Sequence, residues 1–282
     1  MGGGTHLSKD WWNVLKHLTK FSWVEKEILI KDLIEYKGRE KDRRNKERYY
    51  TPAEFREFRK RVKITCNPNN FGIPQGTAIS AVLANVYAID LDEKLNNYVS
   101  KLGGIYRRYS DDIISVIPIA DSEANPSAEH ISFIRDVVDE NKITIGEGKT
   151  SSLFYVNHKI YKDMDCRTIG KLDYLGFVFD GSRVLIREKS LYKYYHRAYK
   201  KVEVINKESI KRNKNVGRKN LYSLYTHLGS RYKGYGNFIS YAKKANHIFE
   251  SIDNIESLIH RQVKRHWNKI QARIISVTEK SY

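Results

Sequence analysis

Residues 104–120, GIYRRYSDDIISVIPIA, constrain the fold more than any other stretch of this chain. Two adjacent carboxylates, Asp111 and Asp112, follow Tyr109-Ser110 and precede Ile113, Ile114, Val116 and Ile117. Like charges repel, and apolar surroundings strengthen the repulsion. β-Branched and aromatic runs on both sides favour strands, and the polar step between them falls where a tight turn belongs. The reading is a β-hairpin with the two aspartates at its tip. Near a turn both carboxylates can serve one ion site, and hard carboxylate oxygens suit Mg²⁺, which also takes phosphate oxygens and water. Two such ions about 4 Å apart clamp an attacking hydroxyl and a leaving pyrophosphate. The bland alternative is a bare, solvated Asp-Asp turn. The flanking Tyr and Ile residues argue against it.

Around this hairpin the pattern alternates. Trp12, Val14, Leu15, Leu18, Phe21, Ile28, Leu29 and Leu33 recur at helical spacing, which predicts helix over 8–36. Residues 37–63 are charge-rich, with Thr51-Pro52-Ala53-Glu54 as a helix start, and read as an exposed loop plus a short helix. Gly72, Pro74 and Gly76 form turns, after which Ile79, Leu83, Val86, Tyr87 and Leu91 are expected to share a helical face. Helix is predicted over 127–142. KITIGEGKTSSLFYV then reads as a strand, a Gly-rich turn and Lys149. KLDYLGFVFDGSRVLIR reads as a hairpin turning at Asp180-Gly181. From Ser190 onward the chain reads as mostly helical. The fold class expected is α+β, a small antiparallel core followed by a helical domain.

Charge separates the two ends. Of a net +18, residues 181–282 hold 23 Lys+Arg against 7 Asp+Glu, a balance of +16. A basic C-terminal third is the footprint of a polyanion partner. Tyrosines interleave with the cations in LYKYYHRAYKK and LYSLYTHLGSRYKGYGNFISYAKK, which suits stacked bases beside phosphates. In IESLIHRQVKRHWNKIQARI, Ile255, Leu258, Ile259, Val263, Trp267 and Ile270 are placed towards a core. Lys264, Arg265 and Lys269, with Arg261, are placed on the exposed side as phosphate contacts. No apolar run is long enough for a membrane span, and MGGGTHLSKDWW lacks the apolar stretch of a secretory signal. Cys66 and Cys166 have no metal-ligand spacing and read as idle or buried thiols of a cytoplasmic protein.

Pro74-Gln75-Gly76, Ser80, Asn85-Val86-Tyr87 and Tyr109-Ser110-Asp111-Asp112, in that order, resemble the palm of a reverse transcriptase. GKTSSLF with Lys149 and YLGFVFDG with Leu175-Gly176-Phe177 resemble the downstream lysine segment and the primer-grip hairpin. NFISYAKKAN and IHRQVKRHW resemble the thumb-like region of bacterial antiviral-defence reverse transcriptases. The resemblance implies a palm-like antiparallel sheet with helices and a helical basic thumb. Residues 1–68 would be a partial fingers and palm helical segment, 69–187 the palm core and 188–282 the thumb-like domain.

It also implies an RNA-directed DNA polymerase acting with Mg²⁺, for which Mn²⁺ can substitute, on an RNA template with a DNA or RNA primer and dNTPs, in bacterial antiviral defence. Asp111 and Asp112 would be the catalytic metal ligands. Tyr109, Ser110, Leu175 and Gly176 would lie against the primer, and Pro74, Gln75, Gly76 and Lys149 would border nucleotide and template. One departure matters. The family's third carboxylate lies on a strand ahead of the Pro-Gln-Gly loop, and no such strand precedes THLSKDWWNVLKHL here. Asp10, Asp90 and Asp92 are poor substitutes. A truncated polymerase is expected, with a missing N-terminal half or an associated non-coding RNA as further partners. The alternative is a catalytically incompetent remnant that still binds nucleic acid.

Overall fold

The computed structural model describes residues 7–37, 49–119, 126–146, 148–213 and 216–279. The chain divides into two compact units, Met1–Tyr98 and Val99–Tyr282.

In the first unit, α1 (Lys9–Leu18) is capped by Ser8, whose hydroxyl accepts from the Trp11 amide. The helix expected over 8–36 is interrupted by β1 (Ser22–Trp23), and α2 (Lys26–Lys37) follows. The interruption is a tertiary effect: β1 pairs antiparallel with β2 (Thr65–Cys66), more than forty residues on, and the Asn67 amide reaches Phe21 O at 2.9 Å. Between them α3 (Pro52–Arg61) begins where the sequence placed it, with Thr51 and Glu54 closing a reciprocal capping box. The part of the expected charged loop at 38–48 lies outside the described residues.

Leu33, Tyr50 and Phe58 form the small core of this unit, with Val24, Leu29, Val62 and Ile64 around them. Beside it the buried Asp32 takes a bidentate pair of hydrogen bonds from Arg61, both 3.1 Å, and one from the Tyr50 hydroxyl at 2.7 Å. Burial first, and Asp32 second, push the Tyr50 phenol well above its ordinary value.

The helical run after Gly76 is split into α4 (Ser80–Tyr87) and α5 (Ile89–Lys101), the latter crossing the unit boundary. Of the expected apolar face only Leu91 is buried, Ile79 and Leu83 are half-buried and Val86 and Tyr87 exposed; Ala88, Leu95 and Val99 complete the buried set. α4 buries none of its residues, so an apolar side read on it from periodicity marks no buried side.

In the second unit, β3 (Ile105–Tyr109) and β4 (Asp112–Val116) form a hairpin, and α6 (Pro126–Glu140) follows. The strand expected just after it is absent. Residues 143–146 and 148–153 are irregular, and the next strands are β5 (Phe154–Val156) and β6 (Lys159–Tyr161). A four-stranded sheet holds β7 (Leu172–Tyr174), β8 (Phe177–Phe179) and β9 (Arg183–Ile186), antiparallel in that order, with a later strand added parallel to β9. The turn at Asp180-Gly181 is as expected: Asp180 Oδ1 accepts from the amides of Ser182 and Arg183. Only glycine fits at 181, where φ is +110° and a Cβ would lie 2.5 Å from His158 O on the β5–β6 turn.

The long α7 (Glu188–Lys211) organises the rest. Tyr194, Ala198, Val202 and Ile205 recur every three or four residues and are buried. Its first half packs Tyr194 against Val184 and Ile186 of β9, against Ile239, Ala242 and Ala245 of a later helix, and against Ile259 and Val263. Its second half packs Ala198, Val202 and Ile205 with Leu221, Ile270 and Ile274. Beyond β9, those partners sit on α8 (Lys219–Tyr225), α9 (Phe238–Glu250), α10 (Ile259–Val263) and α11 (His266–Glu279), and β10 (Glu256–Ser257) is the strand beside β9. The chain is thus of mixed α+β class with small, mainly antiparallel sheets. No described helix is long and apolar enough to cross a membrane. Cys66 is exposed and Cys166 half-buried, both as free thiols, so of the idle or buried thiols expected neither is fully buried.

Candidate active site

The register of β3 and β4 pairs Tyr109 with Asp112 and leaves Ser110-Asp111 as a two-residue turn. Ser110 takes φ +59°, the left-handed conformation that a tight hairpin needs at its first central position. The Arg108 guanidinium donates to Ser110 O at 2.8 Å and holds the turn. Directly paired residues share a face of the ladder. Asp112 therefore stands beside Tyr109 on the exposed face that also carries Ile105 and Val116, and Asp111 projects from the turn itself. Both aspartates are exposed.

Two other segments come to this tip. At β7–β8, Tyr174 pairs with Phe177 and leaves Leu175-Gly176 as a two-residue turn with φ +48° and +87°. Burial first, and the Asp112 carboxylate second, raise the Tyr174 phenol above its ordinary value. On α9 the Tyr241 phenol is raised by burial and then by Tyr109, and its ring centroid lies 6.0 Å from that of Phe177. Tyr109, Asp112, Tyr174, Phe177 and Tyr241 are therefore one neighbourhood, assembled from two hairpins and a helix. The Leu175-Gly176 turn is anchored in turn: the Arg187 amide donates to Gly176 O at 2.9 Å, and the Arg187 guanidinium is paired with Asp173.

Sequence reasoning singled out the turn at 175–176 but missed Tyr174 and Tyr241. The signal available was an aromatic residue directly before a Leu-Gly turn and a tyrosine one helical turn after the Asn237 cap. Lys149 is exposed on its own turn, its amide donating to Gly146 O at 3.2 Å. Pro74, Gln75 and Gly76 lie in the first unit, on a turn with Gly76 at φ +85° and nothing within 4 Å of the position a Cβ would take. That is an open backbone approach. The Ser80 hydroxyl donates locally to Thr77 O at 2.8 Å.

Among the described residues, no three His, Cys, Asp or Glu side chains gather as a metal-holding group. Asp111 and Asp112 supply the hard carboxylate oxygens that a cation of the Mg²⁺ type takes, an ion commonly held by one or two carboxylates together with substrate phosphates and water. A two-ion clamp needs further oxygen donors that this pair alone does not supply.

The basic end is built on the α7 core. Ile259, Val263 and Ile270 are buried and Ile255, Leu258 and Trp267 half-buried, while Lys264, Arg265 and Lys269 are exposed at the α10–α11 junction and on α11. The side of that segment expected to face the core does so. Lys269 is not a bare charge, because its Nζ lies 4.5 Å from the centroid of the Tyr195 ring. His266, which the sequence reading passed over, is buried at the junction. Its Nδ1 is 2.7 Å from Val263 O, and its Nε2 accepts from the His227 amide at 3.2 Å.

No known family's sequence pattern matches the chain, and no curated protein matches it.

Proposed function

We propose that this chain is an RNA-directed DNA polymerase of the reverse-transcriptase type, with a palm-like hairpin site and a thumb-like basic module. What supports the reading is the gathering of the Tyr109–Asp112 tip with Tyr174, one residue from the Leu175-Gly176 turn, and with Tyr241 of the basic region. In this reading Asp111 and Asp112 hold Mg²⁺ or Mn²⁺. The ion, when bound, neutralises phosphate charge and activates the primer hydroxyl. Tyr109 and Ser110 present the primer end from one hairpin, and Leu175 and Gly176 support its backbone from the other. Pro74, Gln75 and Gly76 border the template and incoming nucleotide, and Lys149 meets triphosphate charge. Lys264, Arg265 and Lys269 take phosphates of the RNA–DNA hybrid without reading sequence. Antiviral defence in a bacterial cytoplasm is the setting proposed.

A second reading is favoured by one observation. The aspartate pair has no third acidic partner among the described residues, so the chain by itself binds hybrid and extends it weakly at most. The two readings separate in one set of measurements. Mn²⁺ bound in the presence of an RNA–DNA hybrid is followed by paramagnetic resonance, together with primer extension on an RNA template. The polymerase reading expects bound Mn²⁺ that is lost in Asp111→Asn and Asp112→Asn while hybrid affinity stays nearly unchanged. It also expects any extension to vanish in Asp111→Ala. Hybrid binding with no Mn²⁺ dependence on either aspartate leaves the binding-only reading. Robust extension that survives Asp111→Ala sinks the assigned roles.

A further inference from the structure

The cations of α7 are arranged differently from those at the C-terminal end. Lys189, Lys193, Arg197, Lys200, Lys207 and Lys211 follow one another at intervals of 4, 4, 3, 7 and 4 residues. At 100° per residue these positions form a single stripe. It lies on the side of the helix away from buried Tyr194, Ala198, Val202 and Ile205. All six are exposed, and none forms an ion pair with a described residue. The acids farther along the same helix are engaged elsewhere, Glu203 with Arg273 and Glu208 with Arg212. With a rise of about 1.5 Å per residue the stripe runs roughly 33 Å. Its beginning adjoins the Leu175-Gly176 turn, through the Arg187 amide bonded to Gly176 O. Six like charges in a row disfavour the free helix by a few tenths of a kcal/mol per neighbouring pair, so the arrangement calls for an anionic counterpart.

The second observation is aromatic. Tyr192 is 71% exposed, and its ring stacks on that of His196 with centroids 5.9 Å apart and planes 20° apart. Both residues border the stripe, one turn apart. Paired bases inside a duplex have no free face for such a ring, whereas the bases of a single strand do.

We infer that the outer face of α7 is a binding track for single-stranded nucleic acid, with the six cations following the phosphates and the Tyr192–His196 pair stacking a base. This goes beyond the assigned hybrid contacts and rests only on the nucleic-acid part of the proposed function, not on catalysis. The probes are a fluorescein-labelled oligothymidylate about 12 nucleotides long and a DNA duplex of the same length, within the usual footprint of sequence-tolerant single-strand binders. Anisotropy with the full chain is read across a range of salt.

Lys193→Gln, Arg197→Gln and Lys200→Gln combined are expected to flatten the log K against log salt slope for the single strand by about 2, near 0.7 for each phosphate no longer neutralised. Tyr192→Ala is expected to weaken single-strand binding roughly tenfold while leaving duplex binding unchanged. Tyr192→Phe is expected to retain affinity, since stacking needs the ring and not the hydroxyl. An unchanged slope in the triple variant overturns the track. Equal losses on duplex and single strand in Tyr192→Ala, or no loss on either, overturn the single-strand assignment. Primer extension is scored separately: its absence with the track intact counts against the polymerase reading alone.

Discussion

The acidic hairpin tip and the basic helical module are both charged, but they hold their charges by different means. At the tip, Asp111 sits on the two-residue turn and Asp112 opens β4, and their placement follows from the ladder register and one left-handed residue. In the module, each cation sits where it does because α7, α8, α9, α10 and α11 share two adjoining cores with α7 common to both. The tip is set locally and the module globally. Damage to the module's core should therefore travel, and damage at the tip should not.

The largest effect should come from the module's centre. Ile270 is fully buried between α7 and α8. Ile270→Ala is expected to lower stability by roughly 2–5 kcal/mol, whereas Ile113→Ala on the half-exposed hairpin should cost only about 1 kcal/mol. Equal losses in thermal or denaturant unfolding would erase the contrast.

Next in size is a polar staple inside the same module. Asn237 accepts from the amides of Ile239 and Ser240, capping α9, and donates to Ser223 O at 2.9 Å and Thr226 O at 2.7 Å, tying α9 to the end of α8. Asn237→Ala should lose roughly 2 kcal/mol, the sum of a cap and exposed carbonyl partners. Asn237→Asp keeps the cap but not the donations, so it should recover only part. Full recovery would reduce Asn237 to a local cap and blur the distinction from the tip.

A smaller effect should appear with acid. Burial lowers the His266 imidazole below its ordinary 6.5; the Val263 O contact opposes this, and His227 and Lys243 reinforce it. The unfolded chain then takes up a proton at a higher pH than the folded one. The stability His266 contributes is present above about pH 6.5 and is lost as pH falls towards the folded value. His266→Gln should flatten the decline of the melting temperature between pH 7 and pH 5. A decline identical in both proteins would place the acid sensitivity elsewhere.

The smallest effect belongs to the tip. Ser110 carries a Cβ at φ +59°, and Ser110→Gly should stabilise by about 0.5 kcal/mol, the strain relieved less the added chain entropy. Hydrogen exchange should change only around the turn. A change reaching α9 would show the tip to be coupled to the module after all.

Sequence reading succeeded where the cause is local. Strand propensity on either side of a polar pair specified the β3–β4 hairpin, Thr51 and Glu54 specified the start of α3, and Asp180-Gly181 specified its turn. The same reasoning specified the buried side of α10 and α11, because a helix repeats every 3.6 residues whatever it packs against. It failed where distant segments decide. Ser22–Trp23 became a strand because Thr65–Cys66 pairs with it, and Val86 and Tyr87 are exposed on α4, which buries none of its residues. Charge shows the same division. The amino-acid sequence alone determined that the last third of this chain is basic and that two adjacent aspartates stand at a hairpin tip. Only the tertiary structure decided that Asp112 lies near Tyr174, that Lys269 lies over the Tyr195 ring, and that six α7 cations have no acidic partner among the described residues. Those facts depend on which side chains meet in space, and long-range packing, not neighbouring residues, sets that.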